Sequence, residues 1–116
     1  MQRFRFVSFA AGTGLALLLA IDAAYADEAA AAIDVTIKDH RFSPAEIRVP
    51  AGKAAAINLH NEDATAEEFD SDALGVEKVI AGGRSGIVRL RPLAAGRYAF
   101  MGEYHADTAQ GVVIAE

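Results

Sequence analysis

Two segments in the second half of the chain are rich in side chains that bind metal ions. Residues 62–77 contain seven carboxylates and no basic residue, and residues 101–107 read Met-Gly-Glu-Tyr-His-Ala-Asp. Carboxylate and imidazole donors suit iron, manganese, zinc or Cu(II), whereas Cu(I) prefers sulfur donors. The two segments therefore offer parts of a site for a hard or borderline metal ion.

The three histidines differ in how strongly their surroundings indicate a ligand. His105 has the best local case, because Glu103 and Asp107 lie two residues away on either side and imidazole with nearby carboxylates is a common metal donor set. His60 is out of phase with the apolar residues of its segment, so we expect it to face away from the core. His40 could simply hydrogen-bond a turn.

The acidic run over residues 62–77 has two interpretations. Such runs are common on solvated loops, where they keep a protein soluble. However, carboxylates gathered without a counter-cation repel one another, and a bound metal ion would relieve that repulsion. Both interpretations stay open at the level of the sequence.

Length and composition exclude several classes of protein. The 116 residues suffice for one small domain, and 16 acidic against 11 basic residues give a formal net charge of −5, which argues against a nucleic-acid partner. The chain has no cysteine. A disulfide framework, a thiolate-bound zinc or iron–sulfur site and a catalytic thiol are therefore excluded.

Motifs of the common enzyme classes are missing from the sequence. There is no G-x-S-x-G, H-E-x-x-H, P-loop or G-x-G-x-x-G pattern. The glycine-rich segment 82–86 lacks a Walker lysine, and we predict that it forms a hairpin turn. Ser43, Ser71 and Ser85 leave a Ser-His-Asp site possible by composition, but nothing in their spacing supports one.

The first 26 residues have the pattern of a secretory signal peptide. Arg3 and Arg5 precede an apolar run over residues 6–21, and Ala24-Tyr25-Ala26 is a small-x-small cleavage site. An uncleaved membrane anchor is the alternative, but the run is short of the roughly 20 residues that a spanning helix needs. We therefore predict a signal peptide over residues 1–26 and a mature domain over residues 27–116 that works outside the cytoplasm.

The mature chain shows period-two alternation in short runs, which is typical of an all-β domain. The alternating apolar residues are Ile33, Val35, Ile37, Ile47, Val49, Ile57, Leu59, Val88, Leu90, Tyr98, Phe100, Val112 and Ile114. Turn residues separate the runs, as expected for a β-sandwich of roughly seven strands. Residues 64–74 could hold one helical turn.

The order of the predicted strands indicates which loops meet. Since successive strands usually reverse direction, the connection at residues 39–43 and the one after Leu59 are expected at one end of the sandwich, with the turn at residues 50–52 at the other. The loop over residues 102–110 would join the first end. All three histidines lie in or beside these connections.

Three segments resemble the cupredoxin domain in order and spacing: HRFSPAEIRVPAGK at residues 40–53, INLHNED at 57–63 and GRYAFMGEYHADTAQGVVIAE at 96–116. The resemblance covers essentially all of the mature chain and implies a Greek-key β-sandwich of about seven or eight strands. It places the copper-binding Cys of the family at Gly102, the following His at His105, the Met at Ala109 and the trailing Gly at Gly111. The first copper-binding His falls on Glu67.

The departures from the cupredoxin pattern change the chemistry that it implies. Without a thiolate at Gly102 there is no basis for a blue-copper electron carrier. The resemblance instead implies an oxygen-rich site for an iron and/or copper ion. The candidate metal ligands are Glu67, Glu68, Glu103, His105 and His40, and the sequence does not decide between Glu67 and Glu68.

A closer resemblance is to the cysteine-free, cupredoxin-like periplasmic proteins encoded with bacterial ferrous-iron permeases. It is carried by EEFDSDALGVEKVI at residues 67–80 and GEYHADTAQG at 102–111. It implies a periplasmic metal-binding protein that assists ferrous-iron oxidation, as a possible ferroxidase, and delivers iron to an inner-membrane permease. The alternative is a metal-free cupredoxin-fold module that docks to a membrane transport partner through its acidic face.

Overall fold

The structure is a computed structural model that describes Gln2 and residues 31–116. The predicted signal peptide, residues 1–26, lies outside the described residues apart from Gln2. Within residues 31–116 nine strands follow one another: β1 (Ala31–Lys38), β2 (Arg41–Ser43), β3 (Glu46–Val49), β4 (Ala55–Asn61), β5 (Glu67–Ser71), β6 (Val76–Ile80), β7 (Ser85–Leu90), β8 (Gly96–Gly102) and β9 (Gln110–Ala115). One turn of 3₁₀ helix, Glu103–His105, follows β8.

The strands form two mixed sheets, which confirms the predicted all-β sandwich. The first sheet has the order β2-β1-β4-β7 and the second the order β3-β9-β8-β5-β6. β1 pairs with β4, and β3 pairs with β9, in parallel, whereas the other pairs are antiparallel. In the part of the chain that the structure describes, no helix has the length and hydrophobicity that a membrane-spanning segment requires.

The core lies between the two sheets and is built by the alternating residues. Along β4 every second residue is buried, from Ala55 through Ile57 and Leu59 to Asn61. Three aromatic rings, those of Phe42, Phe69 and Phe100, pack against one another with centroids 4.7 to 6.0 Å apart. This aromatic cluster lies beneath the end of the sandwich where His40 and His105 are found.

Two local predictions from the sequence are wrong. The suggested helical turn at residues 64–74 is instead strand β5, followed by a turn over residues 72–75. The glycine-rich segment 82–86 is not a hairpin turn, because β6 belongs to the five-stranded sheet and β7 to the four-stranded sheet. The segment crosses between the sheets, and Gly83 adopts a positive φ of 69° there.

The predicted meeting of loops at one end is confirmed. The backbone N–H of His40 donates to the carboxylate of Asp63 after β4, and the hydroxyl of Thr108 in the last loop donates to the carbonyl of His40. At the other end the N–H of Gly52 donates to the carbonyl of Leu93. Three connections therefore gather around His40 and His105.

Candidate metal centre

Glu67 points into the sandwich, although it is a carboxylic acid. It is the first residue of β5, whose burial alternates so that Glu67, Phe69 and Ser71 face inward, and its exposed fraction is 1%. Its carboxylate accepts three hydrogen bonds, from the N–H of Glu68 at 3.0 Å, the N–H of Tyr104 at 3.1 Å and Nδ1 of His105 at 2.5 Å. These donors compensate the cost of burying a carboxylate.

The Glu67 carboxylate occupies space that Gly102 leaves open. A Cβ built on Gly102 would lie 2.6 Å from the carboxyl carbon of Glu67 and 2.6 Å from the Cβ of Ala109. Glu67, Gly102, His105 and Ala109, the four positions that the sequence resemblance predicts as ligand positions, therefore lie together. A blue-copper centre does not fit there, because no thiolate is present and the carboxylate fills the space.

His40 covers one face of His105. The two imidazole rings are stacked, with centroids 3.5 Å apart and planes inclined by 11°. His40 lies in the turn after β1 and His105 in the 3₁₀ turn after β8. The structure thus unites three of the five predicted ligands, Glu67, His105 and His40, which we call the inner site.

Glu68 and Glu103, the other two predicted ligands, belong to a different group. Glu68 faces the outside of the five-stranded sheet because it alternates with Glu67 along β5. A hydrogen bond that protonated Glu103 donates to Glu68, together with the negative charges of Glu68, Asp70 and Asp72, raises the pKa of Glu103. Oxygen atoms of Glu68, Asp70 and Glu77 lie within 4.8 Å of one another. We call Glu68, Asp70, Glu77 and Glu103 the outer acidic group.

Sequence reasoning placed all five ligands in one site and omitted Asp70 and Glu77 from it. Once β5 is known to be a strand, its period-two alternation separates Glu67 from Glu68 and joins Glu68 to Asp70. Glu77 could be added only from the strand register, in which it pairs with Asp70.

The inner site has donors that fit a non-blue metal ion. One carboxylate and an imidazole face each other, with a second imidazole stacked beside them, and this oxygen and nitrogen set suits Cu(II), iron or zinc rather than Cu(I). His105 and Glu67 share a hydrogen bond, so an ion bound to both would displace the proton between them. Metal binding there would therefore release a proton and weaken as the pH falls.

His60 lies outside both groups, as predicted. Its ring is on the outer face of the four-stranded sheet, where Nδ1 hydrogen-bonds Oγ of Ser85 at 2.8 Å and Nε2 hydrogen-bonds the carboxylate of Asp34 at 3.2 Å. The hydrogen bond with His60 lowers the pKa of Asp34. These contacts tie β1, β4 and β7 together on an exposed surface and give His60 a structural role.

Comparison with known proteins identifies the family. A family model described as "Cupredoxin-like domain" matches residues 11–115, a range that includes part of the predicted signal peptide. The chain belongs to the cupredoxin-like domain family. An uncharacterized protein of Rickettsia prowazekii is 42% identical to this cupredoxin-like protein over 82 residues, which are 71% of this chain and 66% of that protein. The match therefore spans just under two thirds of the relative.

Solved cupredoxins share the fold of this cupredoxin-like protein. The metal-binding domain of the Cu(I)-exporting P-type ATPase CopA of Streptococcus pneumoniae, solved with Cu(I), matches with a TM-score of 0.66 and 20% identity, covering 73% of this chain and 84% of that domain. Auracyanin A, a blue copper protein of Chloroflexus aurantiacus, matches with a TM-score of 0.61 and 17% identity, covering 73% and 98%. At these identities the likeness shows the fold.

Proposed function

We propose that this cupredoxin-like protein binds iron or copper in the periplasm through an oxygen-rich, non-blue site, assists the oxidation of ferrous iron and hands the iron to an inner-membrane permease. The observation that carries the proposal is the buried Glu67 carboxylate. The sequence resemblance gives position 67 to a metal ligand, and the carboxylate fills the space beside Gly102 and contacts Nδ1 of His105.

Copper binding is supported by the family and its structural neighbours. The CopA domain and an amicyanin variant, which matches with 22% identity and a TM-score of 0.60, were both solved with Cu(I). By the same resemblance, this chain has a glycine and an alanine at the positions of the two sulfur ligands of such sites, and a carboxylate at the position of a histidine. We infer that the replacement shifts the preference from Cu(I) toward Cu(II) and iron.

The carboxylates supply the link to ferrous-iron oxidation. Hard oxygen ligands stabilise Fe(III) relative to Fe(II), so an ion held by Glu67 or by the outer acidic group would lose an electron more readily. The electron acceptor would be dioxygen, a bound copper ion or a partner protein. The role of the chain's own residues is to bind and orient the ion, with Glu67 and His105 giving up their shared proton when it enters.

The test is an anaerobic titration of the metal-free protein with Fe(II), Mn(II) and Cu(II), followed by admission of air. Glu67→Gln and Glu68→Gln form a matched pair, since they make the same change on opposite sides of β5. His105→Ala is matched by His60→Ala, which removes an imidazole from the outer face of the other sheet.

The inner site requires that Glu67→Gln and His105→Ala lower the affinity for Cu(II) at least tenfold and that His60→Ala leave it unchanged. Faster oxidation of Fe(II) than in buffer, lost in the same variants, would support assisted oxidation. An iron affinity lost in Glu68→Gln alone would assign iron to the outer acidic group. No tight binding of any of the three ions would overturn metal binding.

The metal-free docking module remains the second candidate. It is favoured by the outer acidic group, whose side chains cluster on one sheet face. Under this alternative the protein would bind a basic membrane partner, and added salt would weaken that complex strongly. A salt-insensitive complex would count against it.

A further inference from the structure

The turn between β1 and β2 has an unusual backbone. It consists of Asp39 and His40, whose φ angles are +52° and +59°. Both residues are therefore in the left-handed region, which costs most residues other than glycine roughly 1–2 kcal/mol and is tolerated better by aspartate. Two-residue hairpin turns of this kind normally use Asn-Gly or Asp-Gly. His40 stands where such turns usually have glycine, so its conformation depends on contacts that stabilise the turn.

Asp63 supplies the first of these holding contacts. Its carboxylate accepts the N–H of Asp39 at 2.8 Å and the N–H of His40 at 3.0 Å, one oxygen to each. These bonds lower the pKa of Asp63, with the bond from His40 as the largest cause. Both N–H groups of the left-handed turn are thereby satisfied by one side chain 23 residues or more away in the chain.

Asp63 is itself fixed by the buried amide of Asn61. The N–H of Asp63 donates to Oδ1 of Asn61 at 3.0 Å, and Nδ2 of Asn61 donates to the carbonyls of Thr65 at 2.9 Å and Ile80 at 3.1 Å. Asn61 is 3% exposed and ends β4. The carboxylate that binds the turn is therefore anchored to the core of the sandwich.

The other side of His40 is held by the last loop. Oγ1 of Thr108 donates to the carbonyl of His40 at 2.7 Å, and the ring of His40 stacks on His105. Both the backbone N–H and the backbone carbonyl of His40 are therefore hydrogen-bonded. The fixed backbone sets the direction of the Cα–Cβ bond of His40, and its imidazole lies over His105.

We propose that Asp63 is a positioning residue of the inner site: by binding both N–H groups of the turn, it holds His40 stacked on His105, where the second imidazole is available to a bound ion. The inference rests on the proposed function, because it gives His40 a role toward the metal ion. A turn that needed no particular side chain would be formed by glycine without backbone strain.

The first measurement concerns the metal-free protein. Stacked imidazoles shift each other's ring-proton NMR resonances upfield, and His40→Ala provides the reference for loss of the stack. In Asp63→Ala we expect the ring protons of His105 to move to the positions seen in His40→Ala. Asp34→Ala, which removes an exposed carboxylate that contacts neither ring, should leave them in place. Unchanged His105 resonances in Asp63→Ala would overturn the proposal.

The second measurement separates positioning from stability. Asp63→Ala is expected to lower the Cu(II) affinity about tenfold, as His40→Ala does, and to remove one nitrogen from the Cu(II) electron paramagnetic resonance spectrum. Adding Asp39→Gly removes the backbone strain at the first of the two left-handed residues and should recover part of the lost thermal stability without restoring affinity. If the double variant binds Cu(II) like the parent, Asp63 acts on stability alone and the proposal is overturned.

The proposal and the proposed function fail in distinguishable ways. The parent protein could bind none of the metals and still show ring-proton shifts of the stack that are lost in Asp63→Ala. This result would overturn the metal function, while Asp63 would still position His40. A parent that binds Cu(II) with an affinity unaffected by His40→Ala overturns the role of Asp63 toward the ion and leaves the proposed function standing.

Discussion

The carboxyl carbon of Glu67 lies 2.6 Å from the position that a Cβ on Gly102 would take. The two positions are therefore interdependent, since a side chain at 102 and the observed carboxylate at 67 cannot share the space. In this protein, the absence of a side chain at Gly102 is what allows the carboxylate of Glu67 to be buried there. The effect of a substitution at either position should therefore depend on the residue at the other.

Gly102→Ala is expected to destabilise the protein by about 1–3 kcal/mol, because the added methyl group overpacks against Glu67 and Ala109. Urea denaturation measures the loss. Gly96→Ala is the matched control, since a Cβ there would meet its nearest atom at an ordinary 3.7 Å.

The same change should cost less in a Glu67→Ala background, where the carboxyl carbon is gone. A double-mutant cycle is expected to show a coupling of about 1 kcal/mol between the two positions. If the losses of stability in Gly102→Ala and Glu67→Ala were simply additive, the close approach of the two positions would be contradicted.

Glu67→Ala is expected to cost about 3–5 kcal/mol, because it leaves the N–H groups of Glu68 and Tyr104 and the ring of His105 without their buried acceptor. Glu68→Ala removes a similar side chain from the outer face and should change stability by less than about 1 kcal/mol. Thermal unfolding of the two variants under the same conditions checks the difference. Equal losses would contradict the inward orientation of Glu67.

Asn61→Ala is expected to cost about 2–4 kcal/mol, since it removes two bonds that its buried amide donates and one that it accepts. Asn58→Ala, three residues earlier on β4 but on the outer face, loses one exposed bond to Asp34 and should cost less than about 1 kcal/mol. Hydrogen exchange should also show faster opening of residues 62–66 in Asn61→Ala alone. Protection equal to the parent there would contradict the anchoring role.

Glu103→Gln is expected to stabilise the protein at neutral pH. The hydrogen bond that protonated Glu103 donates to Glu68 and the nearby negative charges raise the pKa of Glu103 in the folded state, so its ionisation opposes folding and stability is lost as the pH rises through that pKa. The substitution should raise the melting temperature by about 1–3 °C at pH 7 and by nothing below the unfolded-state pKa.

Melting curves at pH 3.5 and pH 7, at low and high salt, test the pH dependence of Glu103→Gln. High salt should reduce the gain because the group is exposed. Glu62→Gln, an exposed carboxyl outside the outer acidic group, serves as the control. An equal rise in melting temperature at both pH values would show that the rise does not come from removing the repulsion between Glu103 and its neighbouring carboxylates.

The sandwich could be predicted from the sequence because most inward positions carry aliphatic residues, as Ile57 and Leu59 do on β4. Strand β5 could not, because two of its three inward residues are Glu67 and Ser71. Their burial depends on partners far along the chain: the donors to Glu67 after β8, and the carbonyl of Ala99, which accepts from Oγ of Ser71 at 2.6 Å. The period-two pattern of hydrophobic residues gives no information about such contacts.

The sequence indicated the ligand candidates but not that they fall into two separate groups, the inner site and the outer acidic group. The cupredoxin pattern placed Glu67, His105 and His40 at one end, where the structure has them. The stack of His40 on His105 depends on two consecutive left-handed residues. Aspartate and histidine adopt that region more often than most residues other than glycine, but the dipeptide Asp39-His40 does not by itself specify it. The carboxylate of Asp63, far along the chain, supplies hydrogen bonds that stabilise the turn.

The position of β9 between β3 and β8 has a consequence for the order of folding. β3 precedes β9 by more than 60 residues, so the pairing of β3 with β9 has high contact order and is expected to form late, whereas β8 and β9 are consecutive strands that pair locally. His105, in the loop between β8 and β9, meets Glu67, 38 residues earlier in the chain, only when such long-range pairings have formed. We therefore expect a partly folded chain to present scattered carboxylates but no inner site, which would make metal capture a property of the finished fold.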